Sequence, residues 1–304
     1  MMAAARGRRR WGALIVVALA AITLVTLVVL AAQWLRGLPE VQAWVERYPG
    51  STDLPEGAPV GIPAWLAWQH FLNAFFLVLI VKSGWTIRSG RRPAAYWTRK
   101  NTVLRTKRPP TRISLDLWLH LSLDALWIAN GVLYVVLLCV SGQWMRIVPT
   151  SWEIVPNALS AALQYASLNW PVEDGWVNYN SLQVLAYFVT VFIAAPLAFL
   201  SGLRMSPAWP PSSRLARIVP IQVARAVHFP VMLYFVLFVI VHVTLVLTTG
   251  ALRNLSHMYA ASATTTWVGI ALFPGSVVLM VLAVIAARPL LLRPIAALTG
   301  KLSR

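Results

Sequence analysis

Six uninterrupted apolar runs constrain this chain more than any other feature. They cover about residues 11–33, 64–83, 113–141, 181–203, 219–249 and 264–287. Crossing a bilayer takes a helix of roughly 20 residues, and each run is long enough. Strands of a membrane barrel alternate polar and apolar residues over about ten positions, whereas these runs are continuous and rich in Leu, Val and Ala. Only 12% of the residues are charged and 59% are hydrophobic, which excludes an ordinary soluble domain. The runs predict an all-α integral membrane protein with six transmembrane helices.

The net charge of +17 raises the question of nucleic acid, and its distribution answers it. Arg6, Arg8, Arg9 and Arg10 precede the first span, and ten Lys/Arg without an acid lie from Lys82 to Arg112. Arg204, Arg214 and Arg217 follow the fourth span, and Arg288, Arg293, Lys301 and Arg304 follow the sixth. The alternate loops hold Arg36, Arg47, Arg146 and Arg253 together with seven of the nine acids. This is the positive-inside pattern, and it predicts a cell (inner) membrane protein with both termini in the cytoplasm. Anionic lipid, not nucleic acid, is the partner that the basic loops fit.

Cys139 is the only cysteine, so there is no disulfide framework, cysteine metal site or covalent haem attachment motif. The first run resembles the basic and apolar parts of a signal peptide, but its length favours a retained helix. Two long loops are expected outside, 34–62 and 142–180. The second carries several Trp residues and an amphipathic stretch near 155–168, expected to lie on the membrane surface.

Four histidines fall inside the spans. His228 and His242 are fourteen residues apart on span five, a rise of about 21 Å that brings them back to within about 40° of one face. His120 lies eight residues past Arg112 and His228 eight past Pro220, so both sit at similar inner depth. His70 lies twelve residues before Lys82, about 18 Å from the inner edge and level with His242. The histidines thus sort into two cross-helix pairs, His120/His228 (inner) and His70/His242 (outer). Facing imidazoles are what the axial positions of a haem iron require, each ring giving one nitrogen to the metal and its other N–H to an acceptor. Helix–helix hydrogen bonding and proton relay are the other uses of a membrane histidine.

Asp116 and Asp124 stand four residues either side of His120. Asp124 is the deeper, where a charge is costly, and two roles suit it: accepting a ligand N–H or carrying protons for a quinone. Arg225, one turn before His228, has the choice of pairing with haem propionates or snorkelling. Pro230 weakens the helix beside His228. Gly131 and Gly142 offer room for a flat macrocycle, and His257 reads as a loop residue.

The segments "WLAWQHFLNAFFLVLIVKSGW", "LDLWLHLSLDALWIANGVLYVVLLCVSGQW" and "ARAVHFPVMLYFVLFVIVHVTLVLTTG" carry a resemblance. One histidine on each of two consecutive spans and a spaced pair on a later one resembles the bacterial cytochrome b561 and nickel-iron hydrogenase b-type cytochrome subunits. That group includes the formate dehydrogenase gamma and thiosulfate reductase cytochrome b subunits. The likeness covers residues 64–250, spans two to five, as a four-helix di-haem bundle. Residues 1–63 would add a membrane helix and outer loop, and residues 251–304 a last helix and cytoplasmic tail. The resemblance implies two non-covalent b haems, with His70, His120, His228 and His242 as iron ligands and Arg225 and Asp124 beside the cofactors. It also implies electron transfer between the quinone pool and a redox partner, such as a molybdopterin-type oxidoreductase, by a subunit without substrate chemistry of its own. With the extra first span the bundle starts outside, inverted relative to the hydrogenase and formate dehydrogenase subunits. A transporter or metal permease using the same histidines is the alternative reading.

Overall fold

A computed structural model of the chain describes residues 2–90, 92–100, 109–171, 174–210 and 218–304, with side chains from residue 11 onward in the first helix. The side chains of Arg6, Arg8, Arg9 and Arg10, all of Arg214 and Arg217, the acid Glu173, and Arg91 and residues 101–108 of the basic stretch lie outside the described residues. The protein is an all-α integral membrane protein. Among the described residues, six helices are long and apolar enough to cross a bilayer: Trp11–Arg36, Ala64–Arg88, Leu115–Ser141, Ser181–Met205, Ile221–Thr248 and Trp267–Ala286. The chain forms two interleaved units, Met1–Ala58 with Met145–Phe188, and Pro59–Trp144 with Val189–Arg304.

The first unit contains α1 (Met2–Arg36), α2 (Pro39–Arg47), α5 (Ile154–Ala166) and α6 (Ser181–Phe188). The most apolar stretch of α1 buries nothing against the protein, as a lipid-facing helix should. The amphipathic stretch expected near 155–168 is α5, but past Ile154 its buried face is small and polar: Asn157, Ala158, Ser160, Ala161 and Gln164. That face holds a loop. Asn157 Oδ1 accepts from the Gly50 N–H at 3.0 Å, and Gln164 Nε2 donates to the Pro49 carbonyl at 3.0 Å. Gly50 has φ +109°, and a Cβ there would stand 3.2 Å from Gln164, so glycine is needed on both counts. Arg146, 1% exposed, closes the far end by donating to the carbonyls of Gly175 and Trp176.

The second unit is built on α3 (Ala64–Arg88), α4 (Leu115–Ser141), α7 (Ala195–Met205) and α8 (Ile221–Thr248). Ser114 caps α4 by accepting from the Leu117 N–H at 3.2 Å, and Gly142 ends it in the left-handed conformation, φ 74°. Side-chain pairs fix the helix directions. Ser83 meets His120 and Asn130 donates to Asn73, so α3 and α4 run antiparallel in steady register. His120 meets His228 and Trp127 meets Phe235, so α4 and α8 run parallel. Ser201 meets His228 and Thr190 meets Tyr234, so the helix ending in α7 runs antiparallel to α8. Just before α7, Val189–Ala194 is wound as a π-helix. Pro196 follows within the first turn of α7 and brings no N–H, a gap that a wider turn accommodates. Helix α8 runs through Pro230 without ending.

On the remaining side stand α9 (Ala251–Tyr259), α10 (Trp267–Ala286) and α11 (Pro289–Thr299). His257 was expected in a loop; it lies in α9 and is only 5% exposed, because that short helix packs back onto α10. A Cβ on Gly269 would collide with the Leu255 carbonyl, so glycine permits this close approach. A three-stranded antiparallel sheet, invisible in the hydropathy pattern, joins β1 (Tyr96–Arg99), β2 (Arg112–Ser114) and β3 (Gly300–Ser303), with β1 central. It adjoins a core of Leu79, Leu115, Leu119, Leu123, Leu292 and Ala296. The segments after span two, before span three and after span six therefore share one side of the membrane, as an even number of spans requires.

Candidate functional site

Helix α4 presents Leu115, Leu119 and Leu123 to the core, and the next strip of the same helix carries Asp116, His120 and Asp124. A helix with two such strips keeps one face for packing and frees the other for chemistry. The second strip meets α8. The rings of His120 and His228 lie 6.4 Å apart between centroids, at 73° to each other. Fourteen residues along α8, His242 meets His70 of α3 at 6.0 Å and 54°. The four span histidines thus occur as two pairs, separated along α8 by about 21 Å.

The two pairs have different surroundings. Ser83 Oγ is 2.9 Å from His120 Nδ1, and Ser201 Oγ is 3.0 Å from His228 Nδ1. Each serine spends its own proton on its helix backbone, Ser83 at the Ile80 carbonyl (3.0 Å) and Ser201 at the Leu197 carbonyl (2.5 Å). With the hydroxyl proton on the carbonyl, each serine oxygen accepts and the imidazole then carries its proton on Nδ1, the tautomer that leaves Nε2 free for a metal. Asp124 Oδ2 stands 3.7 Å from His120 Nε2.

Around the other pair the neighbours are aromatic. Phe238 stacks on His242 at 5.5 Å and 6°, Tyr234 continues the stack, and the Tyr259 ring meets His70 edge-on. His70 Nδ1 and the adjacent Gln69 Oε1 are buried without a hydrogen-bond partner among the described residues. Such groups cost about 1–3 kcal/mol each when left unpaired, which marks a site that a further group would complete.

Two trans imidazoles bonded to one metal at about 2 Å each place their ring centroids about 6 Å apart. Both pairs meet that requirement, and the residues present fit a haem at each. A bare zinc-type ion takes four ligands, more than either pair offers, whereas a porphyrin brings its own equatorial nitrogens.

The glycines beside the rings are not the ones the sequence suggested. Gly131 faces open space, and Gly142 serves as the cap of α4. The close neighbours are Gly84 and Gly202, where an added Cβ would stand 3.2 Å from Cε1 of His120 and of His228 respectively. Both follow the serine that meets the imidazole, giving the same Ser-Gly dipeptide on α3 and α7. Arg225 is exposed on α8, one turn before His228. Cys139 is exposed as well.

No family model matches the chain, and no solved structure matches it. Among curated proteins, a relative from Azospira oryzae bears the name "Putative protein-methionine-sulfoxide reductase subunit YedZ1". The two are 29% identical over 197 residues, spanning 60% of this chain and 88% of the relative. A multi-pass helical membrane protein with two internal imidazole pairs is thus similar to a protein named as a subunit of a reductase.

Proposed function

We propose that this chain is a di-haem b-type membrane cytochrome, the subunit that carries electrons between the quinone pool and a redox partner in a respiratory chain. The single observation behind the reading is the pair of cross-helix imidazole couples on one bundle of four helices. The similarity to a reductase subunit supports the cytochrome b relationship at a coarse level. When bound, haem supplies a one-electron carrier, and ligation from both faces leaves no vacant position for oxygen.

The chain's own residues do the rest. His120 and His228 hold the inner iron, and His70 and His242 the outer one. Ser83 and Ser201 take the Nδ1 protons of the inner ligands. Arg225 stands ready to pair with propionate carboxylates, and Asp124 adds a carboxyl beside the inner pair. The domain that performs the transfer is the bundle of residues 64–250, in the cell membrane with both termini cytoplasmic. The partner is a separate oxidoreductase of the molybdopterin type. The relative's name suggests reduction of methionine sulfoxide as the partner's reaction, and quinol would be the source of the electrons. Each sulfoxide would then take two electrons and two protons and leave as thioether and water.

A reduced-minus-oxidised absorption spectrum of the purified protein, with a pyridine haemochrome assay, tests the reading. Two b haems per chain are expected. Protein made with ample haem supply and purified without any haem would sink it.

A further inference from the structure

Charge is arranged unevenly about the His120/His228 pair. Helix α3 ends on the sheet side, where α8 begins, and each brings an arginine there. Arg88 lies four residues past Gly84, whose backbone faces the His120 ring, about 6 Å further along α3. Arg225 lies three residues before His228, about 4.5 Å back along α8. Asp124 stands on the opposite side of the pair, four residues past His120 on a helix that runs parallel to α8. Further in the same direction, between the levels of the two histidine pairs, come the rings of Trp127, Tyr234, Phe235 and Phe238.

Arg88 is seated. Its guanidinium carbon is 3.7 Å from the centroid of the Phe229 ring, the residue next to His228. So short a distance lays the planar group on the face of the ring. The N–H donors of a guanidinium lie in its own plane, so a ring beneath it holds the group without using them. Arg204, the arginine of α7 at this level, is differently engaged: its Nε donates to the Val219 carbonyl at 2.7 Å. A b haem carries two propionate carboxylates on one edge. Turned toward the bilayer interior, that edge would meet the Asp124 carboxyl and then aromatic rings, where unpaired charge is costly. Turned toward the sheet side, it meets two guanidiniums, whose forked donors match carboxylates.

We propose that Arg88, seated on Phe229, is a positioning residue that joins Arg225 in binding the propionates of the haem at His120/His228, with that edge turned toward the sheet side and away from Asp124. The proposal rests on the di-haem reading above. A cation beside the propionates offsets their charge and favours the less positive, ferrous iron, so losing it lowers the potential of that site.

The test combines resonance Raman spectroscopy with a redox titration of the purified full-length protein, for wild type, Arg88→Gln, Arg88→Lys and Phe229→Leu. The site that disappears in His228→Ala identifies the haem concerned. Arg88→Gln should shift the propionate bending band of that haem and lower its midpoint. The ferric-to-ferrous ratio at a fixed ambient potential should rise roughly two- to fivefold, the scale of an exposed ion pair. The other haem should keep its band and its midpoint. Arg88→Lys, which retains the charge, should stay near the wild-type midpoint. Phe229→Leu leaves Arg88 without its seat and should move both readouts in the same direction as Arg88→Gln, by less. If Arg88→Gln fails to accumulate, Phe229→Leu carries the test alone. An unchanged propionate band in Arg88→Gln, or a midpoint shift shared equally by both haems, would overturn the proposal, as would Phe229→Leu protein indistinguishable from wild type. Wild-type protein lacking haem would instead overturn the functional reading itself.

Discussion

The two histidine pairs share α8, yet one is set in polar company and the other in aromatic company. At His120/His228 the rings are held by directional bonds from serine oxygens, with a carboxyl 3.7 Å away. Around His70/His242, Phe238 stacks on one ring and Tyr259 meets the other edge-on. A hydroxyl at hydrogen-bond distance constrains a ring in direction, and a ring contact constrains its plane. A single scaffold can therefore hold chemically similar ligands while giving each pair its own electronic setting.

The largest expected effect breaks the comparison outright. His242→Ala should remove one haem of two in the haemochrome assay and spare the site at His120/His228. His120→Ala should do the reverse. Loss of the opposite site in either variant would mean that the pairs are not independent units.

Next come the glycines, which sharpen it. Gly84→Ala or Gly202→Ala adds a methyl 3.2 Å from Cε1, tighter than a ring can accept without shifting. Haem occupancy at His120/His228 should fall severalfold, whereas Gly131→Ala, facing open space, should leave both haems in place. Haem content per chain separates the cases.

Asp124→Asn is expected to be gentler. It takes a carboxyl away from the His120 side and should move only the His120/His228 midpoint upward in a redox titration, with haem content unchanged. The smallest effect belongs to the aromatic pair. Phe238→Leu keeps apolar volume but removes the stacked ring from His242. A loss of about 0.5–1.5 kcal/mol is the scale of such a contact, read as a modest fall in thermal stability with both haems retained.

The helices and the two pairs were legible in the sequence for a simple reason. Continuous apolar runs have no other fold in lipid, and a 1.5 Å rise per residue converts spacing into depth. Depth alone paired His70 with His242 and His120 with His228. What depth does not give is the rotation of each helix. Ser83 and Ser201 look like any small polar residue of a membrane helix until the facing side chain is known. Gly84 and Gly202 are equally anonymous, while Gly131, more prominent beside the α4 histidine, points at nothing. His257 read as a loop residue because it follows a 28-residue helix and a glycine with φ 134°, after which the chain folds back as α9. The strands of the sheet are three or four residues long, too short to show any alternation.

That small sheet also says something about the order in which the protein is made. Trp97 of β1 donates its indole N–H to the carbonyl of Ala296, 199 positions later, and its ring lies against Gly300 of β3. A ribosome completes β1 and inserts four further spans before β3 exists. Until then the central strand has β2 on one side and an open edge on the other, the kind of edge that invites wrong partners. Closure of the sheet is thus a late event of biogenesis, and protease resistance around Tyr96–Arg99 would time-stamp the arrival of the sixth span.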